Sequence, residues 1–297
     1  MKRLPLVLLT VLLLTAIPSH VQAQSATWPR TVVITNDDGI EAEGLLALVR
    51  AFAPVARVYV AAPLENRSGS TNYVSAIARR GIDVERRDLG EGIIAYGVDG
   101  YPADAVNWAI NGLLAGDPPD LVISGVNTGP NLTDDWSLSG TVGAARLAAL
   151  FGVRALAVSG WTSQHPETLE AVARWVVELS RSDWVRDLEP GQYLTVSVPR
   201  VAAADIAGVA VARRSPRDWN IAMERTGESS VAGLERWSLS FESVEISPPA
   251  GSDLDYYRQN MIAIVPMRVD EHDWDLLDAL HSNPPALPAW PPAGGGR

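Results

Sequence analysis

Thr31-Val32-Val33-Ile34-Thr35 is an uncharged, β-branched run, and Asn36-Asp37-Asp38-Gly39 follows it directly. Apolar residues at consecutive rather than alternate positions suit a strand covered on both faces of a parallel sheet. Glu41 to Phe52 then places Leu45, Leu46, Leu48, Val49 and Phe52 at helical spacing, and Arg57 to Ala62 reads as a second strand. These elements form one βαβ unit. The pattern continues with a strand near Ile93 to Val98, a helix from Pro102 to Leu114 and a strand from Leu121 to Ser124. Next come a helix from Thr141 to Phe151, a strand from Ala155 to Ser159, a helix from Pro166 to Leu179 and a strand from Tyr193 to Val198. Pro102 suits a first helical turn, where its missing N–H costs nothing. The alternation predicts an α/β fold: a three-layer, Rossmann-like, mostly parallel sheet. Further on, Trp237 to Glu245 alternates like an antiparallel strand and Met261 to Val265 like another, and both are expected in C-terminal β-hairpin extensions that make oligomer contacts.

The chain ends read differently from this core. A basic start, an apolar run from Leu4 to Ile17 and the small residue Ala23 mark residues 1–23 as a cleavable export signal, too short to span a bilayer. A single domain is expected over 24–281, and a Pro- and Gly-rich tail without a core over 282–297. The expected location is therefore exported and periplasmic, with no membrane contact after signal removal. The 297 residues hold 24 basic and 35 acidic side chains, a formal net charge of −11, and no cysteine. That balance argues against a nucleic-acid duplex as partner. Without cysteine there is no disulfide, thiolate metal site or cysteine nucleophile. The only lysine, Lys2, lies inside the expected signal, so the mature chain has no Schiff-base or P-loop lysine.

Ligands of open parallel sheets bind at the carboxyl ends of the strands, which makes the loops after each strand the place to look for chemistry. The first strand ends in Asn36-Asp37-Asp38-Gly39, the second leads to Asn66-Arg67-Ser68-Gly69-Ser70, and the strand at Leu121 leads into Ser124-Gly125-Val126-Asn127-Thr128-Gly129-Pro130-Asn131. Adjacent Asp37 and Asp38 repel each other unless a cation or a shared proton lies between them. An isolated Asn-Asp-Asp-Gly is more often a plain turn, but the two companion loops supply further small oxygen donors. Together Asp37, Asp38, Ser68 and Asn127 offer carboxylate, hydroxyl and amide oxygens suited to one Mg²⁺ or Mn²⁺ ion, or to Ca²⁺, rather than Zn²⁺. His165, His272 and His281 lie outside these loops. Ser139-Gly140-Thr141 precedes an apolar helix and offers a capping hydroxyl and free N–H groups to a phosphate. Arg67 and Arg146 are candidates for added charge, and Tyr73, Tyr101 or Trp136 for an aromatic slot.

The order and spacing of these segments, with Gly100-Tyr101-Pro102-Ala103-Asp104 and Ser139-Gly140-Thr141-Val142-Gly143-Ala144-Ala145, closely resembles the SurE family of metal-dependent nucleoside monophosphate phosphatases. The resemblance is strong from Thr31 to Gly160 and weaker to Met267. It implies a divalent ion held by Asp37, Asp38, Ser68 and Asn127, catalytic roles for Asp37 and Asp38, and phosphate contacts from Asn72, Asn131, Ser139, Gly140 and Thr141. It also implies hydrolysis of nucleoside 5′- and 3′-monophosphates by a homodimer or homotetramer with exchanged C-terminal hairpins. Members usually carry Gly-Thr-Pro where this chain has Gly100-Tyr101-Pro102, a Cys in place of Ala105 and an acidic residue in place of Leu147. They are typically cytoplasmic, so the export signal is a departure too. The alternative from another functional class is an exported nucleotide- or metal-binding module of the same fold without turnover. A dehalogenase-like phosphatase is disfavoured because its acids are spaced Asp-x-Asp and it needs a lysine. A serine hydrolase lacks its Gly-x-Ser-x-Gly here.

Overall fold

The computed structural model describes residues 28–231, 233–271 and 273–283. The strands are β1 (Thr31–Thr35), β2 (Arg57–Pro63), β3 (Asp83–Arg87), β4 (Ile94–Asp99), β5 (Leu121–Thr128), β6 (Arg154–Trp161), β7 (Gln192–Ser197), β8 (Gly208–Val211), β9 (Trp219–Glu228), β10 (Glu235–Ser243) and β11 (Met261–Arg268). The helices are α1 (Glu43–Phe52), α2 (Ser75–Arg79), α3 (Pro102–Trp108), α4 (Gly140–Leu150), α5 (Pro166–Ser180), α6 (Asp183–Arg186), α7 (Asp253–Arg258) and α8 (Trp274–Ser282). One nine-stranded sheet runs β3-β4-β2-β1-β5-β6-β7-β11-β8, and β9 and β10 form a separate antiparallel hairpin.

β1 sits at the centre. Ile34 faces Val60 of β2 on one side and Ile123 of β5 on the other, both in parallel register. Val32 and Ile34 enter one apolar layer with Leu45, Leu48 and Phe52 of α1 and Val172 and Val176 of α5. Val33 enters the opposite layer with Val106 of α3 and Ala145 and Ala148 of α4. Burial on both faces is why β1 carries no polar residue among Val32, Val33 and Ile34, each fully buried and each stabilising the fold by roughly 2 kcal/mol. The alanine- and glycine-rich α4 brings its backbone close to its neighbours. A side chain at Gly143 would lie 2.1 Å from the Thr71 carbonyl oxygen. Strand order reverses between β1 and β5, and the loops from both open at that switch point.

The structure departs from the sequence reading in several places. β5 does not stop at Ser124 but continues to Thr128, with an irregular register against β6 between Ser124 and Asn127. A bulge of this kind re-aims a side chain at a strand end, here Asn127. β11 is not part of a hairpin extension: it joins the main sheet, antiparallel to β7 and parallel to β8. β10 does form a hairpin, with β9, which the sequence reading did not identify. α2, β3, β8 and α8 were also unread. The helix from Pro102 continues through Ala109–Leu113 as a wider turn. The export signal expected over 1–23 and the tail from residue 284 onward lie outside the described residues. Among the described residues, no helix is long and apolar enough to cross a membrane.

Candidate active site

The turn after β1 folds on itself. The Asn36 amide donates to the Gly39 carbonyl at 2.9 Å, and the Gly39 N–H donates to the Asn36 side-chain oxygen at 3.2 Å. Gly39 holds φ +108°, which other residues rarely adopt, and it permits this sharp bend after the two aspartates. The loop after β2 is tied in by Arg67 N–H donating to the Asp37 carbonyl at 2.7 Å. The Ser68 N–H donates to the Asn66 side-chain oxygen at 2.9 Å.

Asp37 is 2% exposed. The Thr141 hydroxyl donates to it, and the first N–H groups of α4 face it. A side chain at Gly140 would fall 2.9 Å from its Oδ2, so only glycine lets α4 begin this close. Burial pushes the Asp37 carboxyl above its ordinary range, and the Thr141 hydroxyl and the N–H groups of Thr141 and Gly140 only partly oppose that shift. Burial also raises Asp38, with the charge of Asp37 adding to it. Asp38 spans two loops: its Oδ2 accepts from the Thr128 N–H at 3.2 Å and its Oδ1 from the Asn66 amide at 3.4 Å.

A cleft of about 360 Å³ opens over these groups. Asp37, Ser68, Asn127, Asn131 and Ser139 line it from the strand-end loops and the start of α4, and Asp135, Leu138, Trp219 and Phe241 line it from the turn before α4 and from the hairpin. Ser139 caps α4 by accepting from the Val142 N–H at 3.1 Å. Asn131 is held by its backbone: its N–H donates to Ser159 Oγ at 3.2 Å, and its carbonyl accepts from Arg214 at 3.1 Å. Its side-chain amide nitrogen is buried and has no partner among the described residues. The same holds for the side-chain oxygens of Asn72 and Ser70.

The structure gathers Asp37, Ser68, Asn127, Asn131 and Ser139 around one space; Asp38, Gly140 and Thr141 do not line it, but Asp38 accepts from Thr128, Thr141 donates to Asp37 and Gly140 follows Ser139. Asn72 does not line the cleft; it lies in the segment against which α4 packs at Gly143. Asp104 of the Gly100-Tyr101-Pro102-Ala103-Asp104 stretch anchors the residues just beyond that segment, accepting from Ser75 N–H and Oγ at 3.1 and 2.7 Å and from Ala76 N–H at 2.9 Å.

The charge and aromatic candidates need correction. Arg146 is paired with Glu271, and Arg67 is held by Glu65 at 3.4 Å and by the Gly100 carbonyl at 3.3 Å. Neither lines the cleft. Tyr73 and Tyr101 pack edge-to-face on each other at 4.8 Å, and Trp136 lies beneath Arg146. The aromatic wall is instead Trp219 and Phe241 of the hairpin, in edge-to-face contact at 5.4 Å. The alternation of Trp219, Ile221 and Met223 is the sequence signal that would have located β9. Asp135 carried no signal beyond its proximity to Ser139.

The fold and cleft define a Rossmann-like α/β protein with a polar cleft at the switch point of its sheet, bordered by the root of a hairpin. Comparison with known proteins makes this specific. Residues 32–221 match the family model described as "Survival protein SurE", and the chain belongs to that family. It is 34% identical to "5′-nucleotidase SurE" of Methylococcus capsulatus, over 84% of this chain and 95% of the relative. It is 33% identical to the protein of the same description from Rubrobacter xylanophilus, over 84% and 96%. The crystal structure of the SurE protein from Aquifex aeolicus superposes with a TM-score of 0.70 at 25% identity, covering 85% of this chain and 98% of that one.

Proposed function

We propose that this protein is a phosphoric monoester hydrolase that releases phosphate from nucleoside 5′- and 3′-monophosphates with the help of one divalent ion, Mg²⁺ or Mn²⁺. Membership of the SurE family and the 5′-nucleotidase relatives support the reaction class. The observation that carries the ion is the charge of the cleft. Among the described residues, its lining holds the carboxylates Asp37 and Asp135 and no arginine or histidine. A dianionic phosphate would enter an acidic space without a counter-charge. Asp37 and Asp38, both raised by burial, are a poor pair for that space unless a cation sits beside them. The donor set fits such an ion: Asp37, Asp38, Ser68 and Asn127 supply hard oxygens. When bound, the ion neutralises phosphoryl charge and lowers the pKa of a coordinated water.

The remaining work falls to the chain. The Thr141 hydroxyl fixes the Asp37 carboxylate in one orientation, leaving Oδ2 directed away from that bond. The buried, unpartnered Asn131 amide is a donor for a phosphoryl oxygen, and the positive end of α4 behind Ser139 favours negative charge. In this reading Asp37 acts as base or nucleophile, and Asp38, bonded to Asn66 and Thr128, keeps the loops of β2 and β5 on the site. The test is phosphate release from a panel of nucleoside monophosphates with Mg²⁺, Mn²⁺, Ca²⁺ or EDTA. Metal-dependent release that disappears in Asp37→Asn is expected; unchanged turnover in that variant, or full activity in EDTA, refutes the assignment.

The hairpin supports assembly as a homodimer or homotetramer. Ile221, Met223, Trp237, Leu239 and Phe241 are all about half exposed, an apolar surface that a lone chain would leave in water. Light scattering that returns a monomer mass at micromolar concentration would remove this reading. The leader-like residues 1–23 support export to the periplasm, where such an enzyme would release nucleosides from extracytoplasmic nucleotides; cell fractionation tests that location.

A further inference from the structure

The hairpin side of the cleft has a chemistry of its own. Asp135 lies in the short turn Thr133–Ser137, and its carboxyl responds most strongly, after burial, to Asp218, the residue immediately before Trp219. Asp135 lines the same cleft as Trp219 and Phe241, which meet near the root of the hairpin. Trp219 and Phe241 stand on the same wall, and the indole N–H of Trp219 is buried with no partner among the described residues. The hairpin side thus offers aromatic surface, an acceptor-only carboxylate and a spare donor.

Resting on the nucleotidase reading, we infer that Asp135 and Trp219 form a nucleobase subsite that selects guanine. A carboxylate has only acceptors, so it is matched best by two adjacent donors. Guanine alone among the common bases presents such a pair, N1–H and N2–H₂, with the O6 acceptor beside them. Adenine and cytosine place a ring-nitrogen acceptor next to their amino group, and uracil flanks its single N–H with two carbonyls. Trp219 and Phe241 supply aromatic surface, which every base accepts and which therefore does not select. The Asp135 carboxyl is pushed up to about 6, first by burial, then by Asp218, Asp134 and Asp253, with Arg214 opposing them. Selection for guanine accordingly belongs to the ionised form and weakens as the pH falls through that value.

The experiment compares kcat/KM for GMP, IMP, AMP and CMP in the wild-type chain and in Asp135→Asn. It also measures guanosine and inosine binding to the wild-type chain by quenching of tryptophan fluorescence, without metal. Inosine lacks only the N2 amino group, so it isolates one of the two hydrogen bonds. The expected result is a GMP over IMP preference of roughly tenfold at pH 8, the scale of one charge-assisted hydrogen bond in a partly open site. The GMP to IMP ratio should fall toward one in Asp135→Asn and at pH 5, whatever the change in overall turnover. Guanosine should also bind more tightly than inosine. Equal handling of GMP and IMP, equal binding of the two nucleosides, or an equal loss for all four nucleotides in Asp135→Asn overturns the inference. Absence of phosphate release from every nucleotide by the wild-type chain with metal refutes the nucleotidase reading itself. The nucleoside-binding arm, which needs neither metal nor turnover, still decides the base preference in that event.

Discussion

Gly143→Ala places two opposite effects in direct competition. In an unobstructed helix interior the change stabilises by about 1 kcal/mol, because alanine loses less conformational freedom than glycine. At this position the new Cβ would lie 2.1 Å from the Thr71 carbonyl oxygen, 2.5 Å from its carbon and 3.0 Å from the Asn72 nitrogen. An ordinary contact needs more than 3 Å, so one partner must retreat by about 1 Å. α4 cannot easily do so: nine of its residues are buried, and α3 and the sheet pack against it. The segment at Thr71 must move instead, although Thr71 already holds φ 45° and its N–H is bonded to the Leu138 carbonyl at 3.2 Å. Overpacking against backbone costs about 3 kcal/mol, so the net effect is a loss of roughly 2 kcal/mol. The displaced segment adjoins Ser70, which with Asp37 crowds the start of α4 at Gly140, and a misplacement of that size lowers kcat/KM by about a hundredfold. Urea unfolding and phosphate-release kinetics measure both effects. Gly116→Ala serves as the control, since its Cβ enters open space. A variant that gains about 1 kcal/mol and keeps full turnover would show that α4 does not rest on this segment.

Two further expectations concern buried charge. Arg214 donates to Asp253 at 3.0 Å, to Thr195 Oγ1 at 2.7 Å and to the Asn131 carbonyl at 3.1 Å, so Arg214→Met strands a fully buried carboxylate. The N–H groups of Thr133, Ser215 and Leu254 still satisfy Asp253, which puts the cost near 3 kcal/mol, or roughly 5–10 °C in Tm; a loss below 1 kcal/mol would deny the pair a structural role. Asp135 is raised from 3.8 to about 6 on folding, so its neutral form contributes stability that is complete below pH 3.8 and lost as the pH rises through 6. Asp135→Asn should therefore stabilise the protein at pH 8 but not at pH 4. The gain is about 1 kcal/mol once solvent screening at this half-exposed carboxyl is counted, and equal shifts at both pH values in thermal melts would contradict it.

The parallel strands were legible because burial on both faces leaves a local mark. Val32, Val33 and Ile34, and likewise Val122 and Ile123, are apolar whichever layer they face. β3 left no such mark. Its Asp83-Val84-Glu85-Arg86-Arg87 is charged because it forms the solvated edge of the sheet, where charge also blocks further pairing. β11 was legible as a strand but not as a member of the main sheet. Nothing in Met261 to Arg268 states that Ile264 will face Val196 of β7 and Val211 of β8, since that choice is made by distant chain.

The same division runs through the site. Asp37, Ser68, Asn127 and Ser139 each follow a buried strand or begin a buried helix, and the switch-point rule converts that local fact into proximity. The hairpin wall follows no such rule. Trp219 pairs with Ser243, and Phe241 with Ile221, so the two rings meet only through hairpin register. They share the cleft with Asp135 because the root of the hairpin sits at its edge. The arginines explain why the reading by residue type also went astray. Arg67 and Arg146 are cationic and near the motifs, but each is satisfied by a carboxylate outside the cleft. Had either turned inward, it would have neutralised Asp37 and Asp38 and weakened the electrostatic demand for a divalent ion. With both arginines paired elsewhere, the proposed ion is left as the counter-charge for the two aspartates.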